Sequence, residues 1–168
     1  MIFFNGQRIM RSGDQIGGRN YLLHTSDFSK GWGLSKEHGG VTNDTYLGGK
    51  IVLLKNNGQS FNNFSQDLPN ELSNKDVIWS CFAKADIAGD MLHTEPWGSN
   101  GCNQALTTEW QRYSFAGRLS DNKNGHKTTL FFWGIDTNKG NVYIALPKLE
   151  IGSVATDWTP APEDFLTN

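Results

Sequence analysis

The run from Val77 to Ala85, Val-Ile-Trp-Ser-Cys-Phe-Ala-Lys-Ala, constrains the fold of this chain more than any other stretch. Read with a period of two, it places Val77, Trp79, Cys81 and Ala83 on one side. Ile78, Ser80, Phe82 and Lys84 fall on the other. One side is wholly apolar and the other mixed, as expected of a strand with one face in a core. Helical periodicity is nearly absent elsewhere, and only Pro69–Asp76 suits one short turn. Further strand signals lie at Lys50–Lys55, Arg112–Leu119, Thr128–Ile135 and Val142–Ile151. Between the last two, residues Asp136–Asn141 read as a hairpin-type turn. Repeated strands without crossover helices imply an all-β chain of antiparallel sheets, packed as a sandwich or barrel, with less than about one-tenth helix.

Composition supports this. The 168 residues include 19 glycines and 16 asparagines, a turn-rich usage that suits many short strands. Length argues for one domain with room for a real core. Few charges and many aromatics exclude a disordered chain. The net charge of −2 excludes a strongly basic nucleic-acid binder, and no apolar run approaches a membrane span, so neither nucleic acid nor membrane is an expected partner. The first residues carry no signal-peptide pattern. Two cysteines make no disulfide framework; Cys81 reads as a small core residue and both as free thiols. Residues 1–19 read as a connector, 20–158 as one β-sandwich unit, and 159–168 as an exit tail with Pro160 and Pro162.

Four segments carry a family resemblance. Arg19–Trp32 resembles an N-L-L-x-N-S-x-F-x-x-G-W opening, and Val77–Ala85 a Y-T-F-S-F-W-V-K-A strand. Thr107–Phe115 is similar to T-x-x-W-Q-R-Y-x-F. Val142–Asp164 resembles a V-Y-I-K-x-x-K-L-E-x-G-x-x-A-T-D-W-T-P-A-P-E-D ending. In this order the segments resemble jelly-roll carbohydrate-binding modules. The last looks like the ending of such modules in tail and baseplate proteins of phages and prophages of Gram-positive bacteria. The resemblance implies a two-sheet antiparallel jelly-roll β-sandwich that binds host cell-wall or surface polysaccharide during adsorption. It would be made in the bacterial cytoplasm and carried in the virion beside other tail or baseplate proteins. A spacer or assembly jelly roll without a sugar site, and an accessory module of a cell-wall hydrolase, remain the alternatives. Many such modules hold a structural calcium through a Y-I-D-D-V-x-L strand. Here that stretch is Tyr143–Leu149, where Ala145 and Leu146 supply no carboxylate. The reading is therefore that no cofactor is required.

Catalytic motifs are missing. Glycosidic hydrolysis needs two carboxylates flanking one bond, and nothing in the sequence pairs Glu95, Glu109 or Asp136. His24, His38, His93 and His126 are scattered without zinc-ligand spacing. Sugar binding needs less: a ring to stack on the C–H face, and amides or charged groups for the hydroxyl rim. Trp79 shares the core parity of its strand, and Trp32, Trp110 and Trp158 fall in motifs that suit packing. The remaining tryptophans, Trp97 in a glycine-flanked loop and Trp133 opposite in parity to Leu130 and Phe132, are the candidate stacking rings. Phe82, Lys84 and Arg112, by face, and His93 and Glu95, flanking the Trp97 loop, complete the candidate ligand-binding set.

Overall fold

The alternation at Val77–Ala85 is realised in strand β7 (Asp76–Ala85), whose odd-numbered residues Val77 to Ala85 are at most 2% exposed. The computed structural model describes residues 2–4, 7–10, 18–33, 36–56, 64–96, 101–121 and 129–166. Strands β1 (Ile2–Phe4) and β2 (Gln7–Met10) pair with each other. The other strands are β3 (Trp32–Gly33), β4 (Gly39–Tyr46), β5 (Gly49–Leu54), β6 (Phe64–Asp67), β8 (Met91–Pro96), β9 (Cys102–Ala105), β10 (Gln111–Arg118), β11 (Thr129–Gly134) and β12 (Val142–Ile151). With β7 they form two antiparallel five-stranded sheets. The first has the order β10-β7-β12-β5-β4, the second β3-β6-β11-β8-β9. Among the described residues strand makes up 51% and helix 7%, the latter as short 3-10 turns, one of them at Asn70–Leu72 within the expected turn region.

The core lies between the sheets. Trp79 and Cys81 of β7, Ile144 and Leu149 of β12 and Val52 of β5 face Phe64 of β6, Leu92 of β8 and Leu130 and Phe132 of β11. Trp79 spans the two layers: its indole N–H donates to Thr94 Oγ1 of β8 at 2.9 Å. The Thr94 hydroxyl donates in turn to the Phe131 carbonyl at 2.8 Å. The polar tip of a fully buried ring is thereby satisfied.

One expectation needs correction. Residues Asp136–Asn141 do not close a hairpin, because β11 and β12 belong to opposite sheets. Both sides of β11 are already paired, with β6 and β8, so the chain must cross to the other layer. Turn residues signal a reversal but not the sheet that the next strand joins. Asn138 anchors the crossing: its Oδ1 accepts from the Met91 N–H and its Nδ2 donates to the Met91 carbonyl, both at 2.7 Å.

Strand β12 carries a bulge. Ala145 lies opposite Phe82 but Lys148 opposite Ser80, so three steps on β12 match two on β7. Leu146 takes the left-handed region there, with φ +51°. The extra residue reverses the parity of the strand. Val142 and Ile144 point inward before it, and Leu149 and Ile151 after it. The buried amide of Asn20 holds the bulge closed. Its Oδ1 accepts from the N–H groups of Leu149 (3.1 Å) and Leu22 (3.0 Å). Its Nδ2 reaches the carbonyls of Pro147 (3.3 Å) and Thr159 (3.1 Å) and Thr25 Oγ1 (3.3 Å). The segment expected as an exit tail runs back over residues 19–25: Ala161 is fully buried, and Asp164 Oδ1 accepts from the His24 N–H at 2.9 Å.

Both cysteines are free, Cys81 buried and Cys102 half-buried. Burial pushes the Cys81 thiol up to about 12, against a lowering by Arg112. Two outcomes follow. A thiol reagent at pH 8 is expected to label at most one cysteine of the native chain and both after unfolding. The unfolded thiol ionises near 9.0 while the folded one stays protonated to about 12. The folded state therefore binds more protons in that window, and Cys81 makes stability fall as pH rises through it. Urea titration of the parent and Cys81→Ala across that range checks the sign. Asn20→Ala strips partners from several buried backbone groups at once and is expected to cost about 3 kcal/mol or more of unfolding free energy. A cost under about 1 kcal/mol would show that the bulge holds itself.

Candidate functional site

The outer face of the second sheet is built from the half-exposed positions of its strands. On β11 these are Thr129, Phe131 and Trp133, between buried Leu130, Phe132 and Gly134. On β8 they are Met91, His93 and Glu95, between buried Leu92, Thr94 and Pro96. The register sets Trp133 beside His93 and Phe131 beside Glu95. Ser65 of β6 lies on the other side of Phe131, and Asn103 of β9 beyond His93. Cross-strand neighbours of this kind lie within contact distance, so the face becomes a continuous platform.

Its rings are fixed against one another. The His93 and Trp133 rings stack with centroids 4.0 Å apart and planes at 27°. Phe131 meets Trp133 edge-on, at 6.3 Å and 76°. His93 Nδ1 lies 2.5 Å from Asn103 Oδ1, and its Nε2 lies 3.5 Å from Glu95 Oε2. The segment carrying Gly101 presses on this pair: a Cβ there would sit 2.3 Å from His93 Nε2 and 2.8 Å from Glu95 Oε2. Only glycine allows that approach. At the far end Thr129 Oγ1 donates to Asp67 Oδ1 at 2.8 Å. The platform thus offers two aromatic surfaces nearly at right angles, with a carboxylate, an imidazole and an amide along one side.

The candidates from the sequence divide between the two faces of the sandwich. Trp133, His93 and Glu95 come together on this platform. Phe82, Lys84 and Arg112 point outward from the first sheet, on β7 and β10, and so lie on the opposite side of the molecule. Trp97 lies outside the described residues. Phe131 and Asn103 complete the platform without having been singled out. The parity of Trp133 already carried Phe131, whereas Asn103 sits in a strand of four residues too short for a periodic signal.

The face of the first sheet is partly covered. Lys148 and Glu150, each 1% exposed, form an ion pair at 3.1 Å beneath residues 152–158. Lys148 Nζ also donates to Thr156 Oγ1 and the Asp157 carbonyl, both at 2.7 Å, and the Thr156 N–H donates to Glu150 Oε2 at 3.0 Å. Arg112 is drawn into the same closure. It donates to Ser80 Oγ at 3.1 Å and to the Thr156 carbonyl, and lies 3.6 Å from Asp157 Oδ1. Phe82 joins a small apolar cluster with Ile51, Ala145, Leu146, Tyr46, Trp110, Tyr143 and Trp158. Ala145 is fully buried in this cluster, and Leu146 crowds Gly49, whose Cβ would lie 2.3 Å from Leu146 Cδ2. Residues 145 and 146 provide apolar packing where a calcium site would need oxygen, so they do not fit that ion. No group of three acidic, histidine or cysteine side chains suited to a metal occurs among the described residues.

No family model and no curated protein matches this sequence. Solved structures do match the fold. The tandem CBM22-1-CBM22-2 domains of Paenibacillus barcinonensis Xyn10C superpose with a TM-score of 0.59 at 14% identity, over 91% of this chain and 50% of that one. The single CBM22-1 xylan-binding domain of the same enzyme gives 0.55 at 14%, over 82% and 94%. The second N-terminal cellulose-binding domain of Cellulomonas fimi β-1,4-glucanase C gives 0.54 at 15%, over 81% and 96%. At such identities the likeness is one of fold, and this chain is a jelly-roll β-sandwich of the kind seen in these carbohydrate-binding modules.

Proposed function

We propose that this chain is a non-catalytic module that holds a polysaccharide on the outer face of its second sheet. The observation that carries the reading is the Trp133–His93–Phe131 ring group, flanked by Glu95 and Asn103 across adjacent strands. A pyranose C–H face stacks on a ring, and its hydroxyls meet the carboxylate and amide. Five strands at a spacing of about 4.8 Å give a face roughly 19 Å wide, enough for a short run of sugar units laid across the strands. The xylan- and cellulose-binding domains named above support a glycan ligand on this fold. Direct hydrolysis is a poor fit, because Glu95 has Phe131 as its partner on β11 and His93 as its nearest titratable neighbour, not a second carboxylate.

The finer reading places the module in a virion. The ending Val142–Asp164 supports a tail or baseplate protein of a phage or prophage of Gram-positive bacteria, with host surface polysaccharide as the ligand and other tail proteins as neighbours. Single sites of this open, wet kind bind weakly and gain through repetition in a particle.

A fluorescent fusion tested on intact Gram-positive cells, with free sugars, xylan and purified wall polysaccharide as competitors, checks both levels. Trp133→Ala is expected to cost about 1–3 kcal/mol of binding while leaving the melting temperature nearly unchanged. Trp79→Ala is expected to do the reverse, losing about 3–5 kcal/mol of stability from the core. If Trp133→Ala binds like the parent, the platform is not the site. If the parent binds neither cells nor any of the glycans, the binding function fails; binding to xylan alone removes only the host-adsorption role.

A further inference from the structure

The first sheet carries a feature that neither the platform nor the core requires. Lys84 projects from one end of the molecule's other face, opposite Tyr143 in register and next to the start of β10. Its Nζ lies 5.7 Å from the Trp110 ring centre and 5.3 Å from that of Tyr143. The outer cations nearby are neutralised: Lys148 has Glu150, and Arg112 has Asp157. Lys84 has no carboxylate within ion-pair distance among the described residues, only the two rings. Asp86, an acidic group at this end of the sheet, holds neutral donors instead. It accepts from the Tyr143 hydroxyl at 2.9 Å and from the N–H and Nδ2 of Asn141 at 3.0 and 2.9 Å.

The rings around Lys84 are brought there by an unusual closure. Strands β4 and β10 are opposite edges of the sheet, with three strands between them. That separation is roughly 19 Å. Yet Tyr46 of β4 stacks on Trp110, with centroids 4.5 Å apart at 19°, and tilts against Phe82 at 5.3 Å. The tip of the β4–β5 hairpin therefore leans across the face and meets the far edge. Tyr46, Phe82, Lys84, Trp110 and Tyr143 are all half-buried rather than sealed. The result is an aromatic surface with one uncompensated ammonium group at its centre.

We propose that this surface is a second glycan site, selective for acidic chains, whose carboxylate or phosphate pairs with Lys84 while adjoining C–H groups lie on Trp110 and Tyr143. Charge decides between the two faces. The platform presents Glu95 and Asp67, which repel an anionic polymer, whereas Lys84 attracts one. A charge-assisted contact flanked by rings also outweighs one formed in open water. The site is independent of the platform, so the chain would grip a neutral segment on one side and an acidic one on the other.

Affinity electrophoresis of the full chain tests this in native gels holding polygalacturonate, poly(glycerol phosphate) or neutral xylan. The parent is expected to be retarded by at least one acidic polymer. Polygalacturonate alone identifies a carboxylate ligand, and poly(glycerol phosphate) alone a phosphate. Lys84→Met keeps the alkyl stem between the rings and is expected to weaken that retention about tenfold, with Lys84→Arg restoring most of it. Trp133→Ala should leave acidic retention intact and reduce only that by xylan. No retention of the parent by either acidic polymer, equal retention of Lys84→Met, or loss of acidic retention in Trp133→Ala would each overturn the proposal. Absence of xylan retention with Lys84-dependent acidic retention would still support the proposal and show only that xylan is not the ligand of the platform. Unchanged dichroism and melting of the Lys84 variants establish that they are folded.

Discussion

The buried amide of Asn20 is the contact on which the rest of this sandwich depends. It satisfies the N–H of Leu149 and the carbonyl of Pro147, on the stretch of β12 that lies beyond its pairing with β5. Unpaired buried backbone groups are costly, and one side chain answers both. The same amide reaches Leu22 and Thr159, so residues 20–22, the last strand and the closing segment meet at one point.

The bulge then determines what the first sheet can do. Without the extra residue, Lys148 and Glu150 would share the inward parity of Val142 and Ile144. With it they turn outward, and Leu149 fills the core instead. The outward pair is buried by residues 152–158, which supply Thr156 and the Asp157 carbonyl as partners. A buried ion pair is tolerated when its remaining donors and acceptors are met, and here the covering segment meets them. One end of the sheet is closed in this way, while the end bearing Lys84 keeps its rings half-exposed.

The second sheet gains its rigidity from the core side. Trp79 holds Thr94, and Thr94 holds the carbonyl of Phe131, so an inter-sheet hydrogen-bond chain ends on the backbone that carries a platform ring. The alternation of β8 and β11 does the rest. Each inward Leu or Phe buried against the first sheet fixes the height and direction of an outward neighbour. A shallow binding face needs such support, because the ligand contributes little order of its own.

Much of this was legible in the residues alone. The period of two at Val77–Ala85 determined which face of β7 enters the core, and the parity of Leu130, Phe132 and Trp133 did the same for β11, because a side chain on a strand has only two directions to choose between. The expectation of free thiols also rested on local facts, the apolar setting of Cys81 and the small number of cysteines. Pairing between strands is a different matter. The sequence grouped Phe82, Lys84 and Arg112 with Trp133, His93 and Glu95, although the two sets lie on opposite outer faces. Parity states inward or outward for each strand but not the sheet to which the strand belongs. The same blindness made residues 136–141 look like a hairpin when they cross between layers. Only the tertiary structure decided these points, together with the bulge at Leu146 and the lean of Tyr46 onto Trp110, because each depends on which strands compete for the same backbone partners.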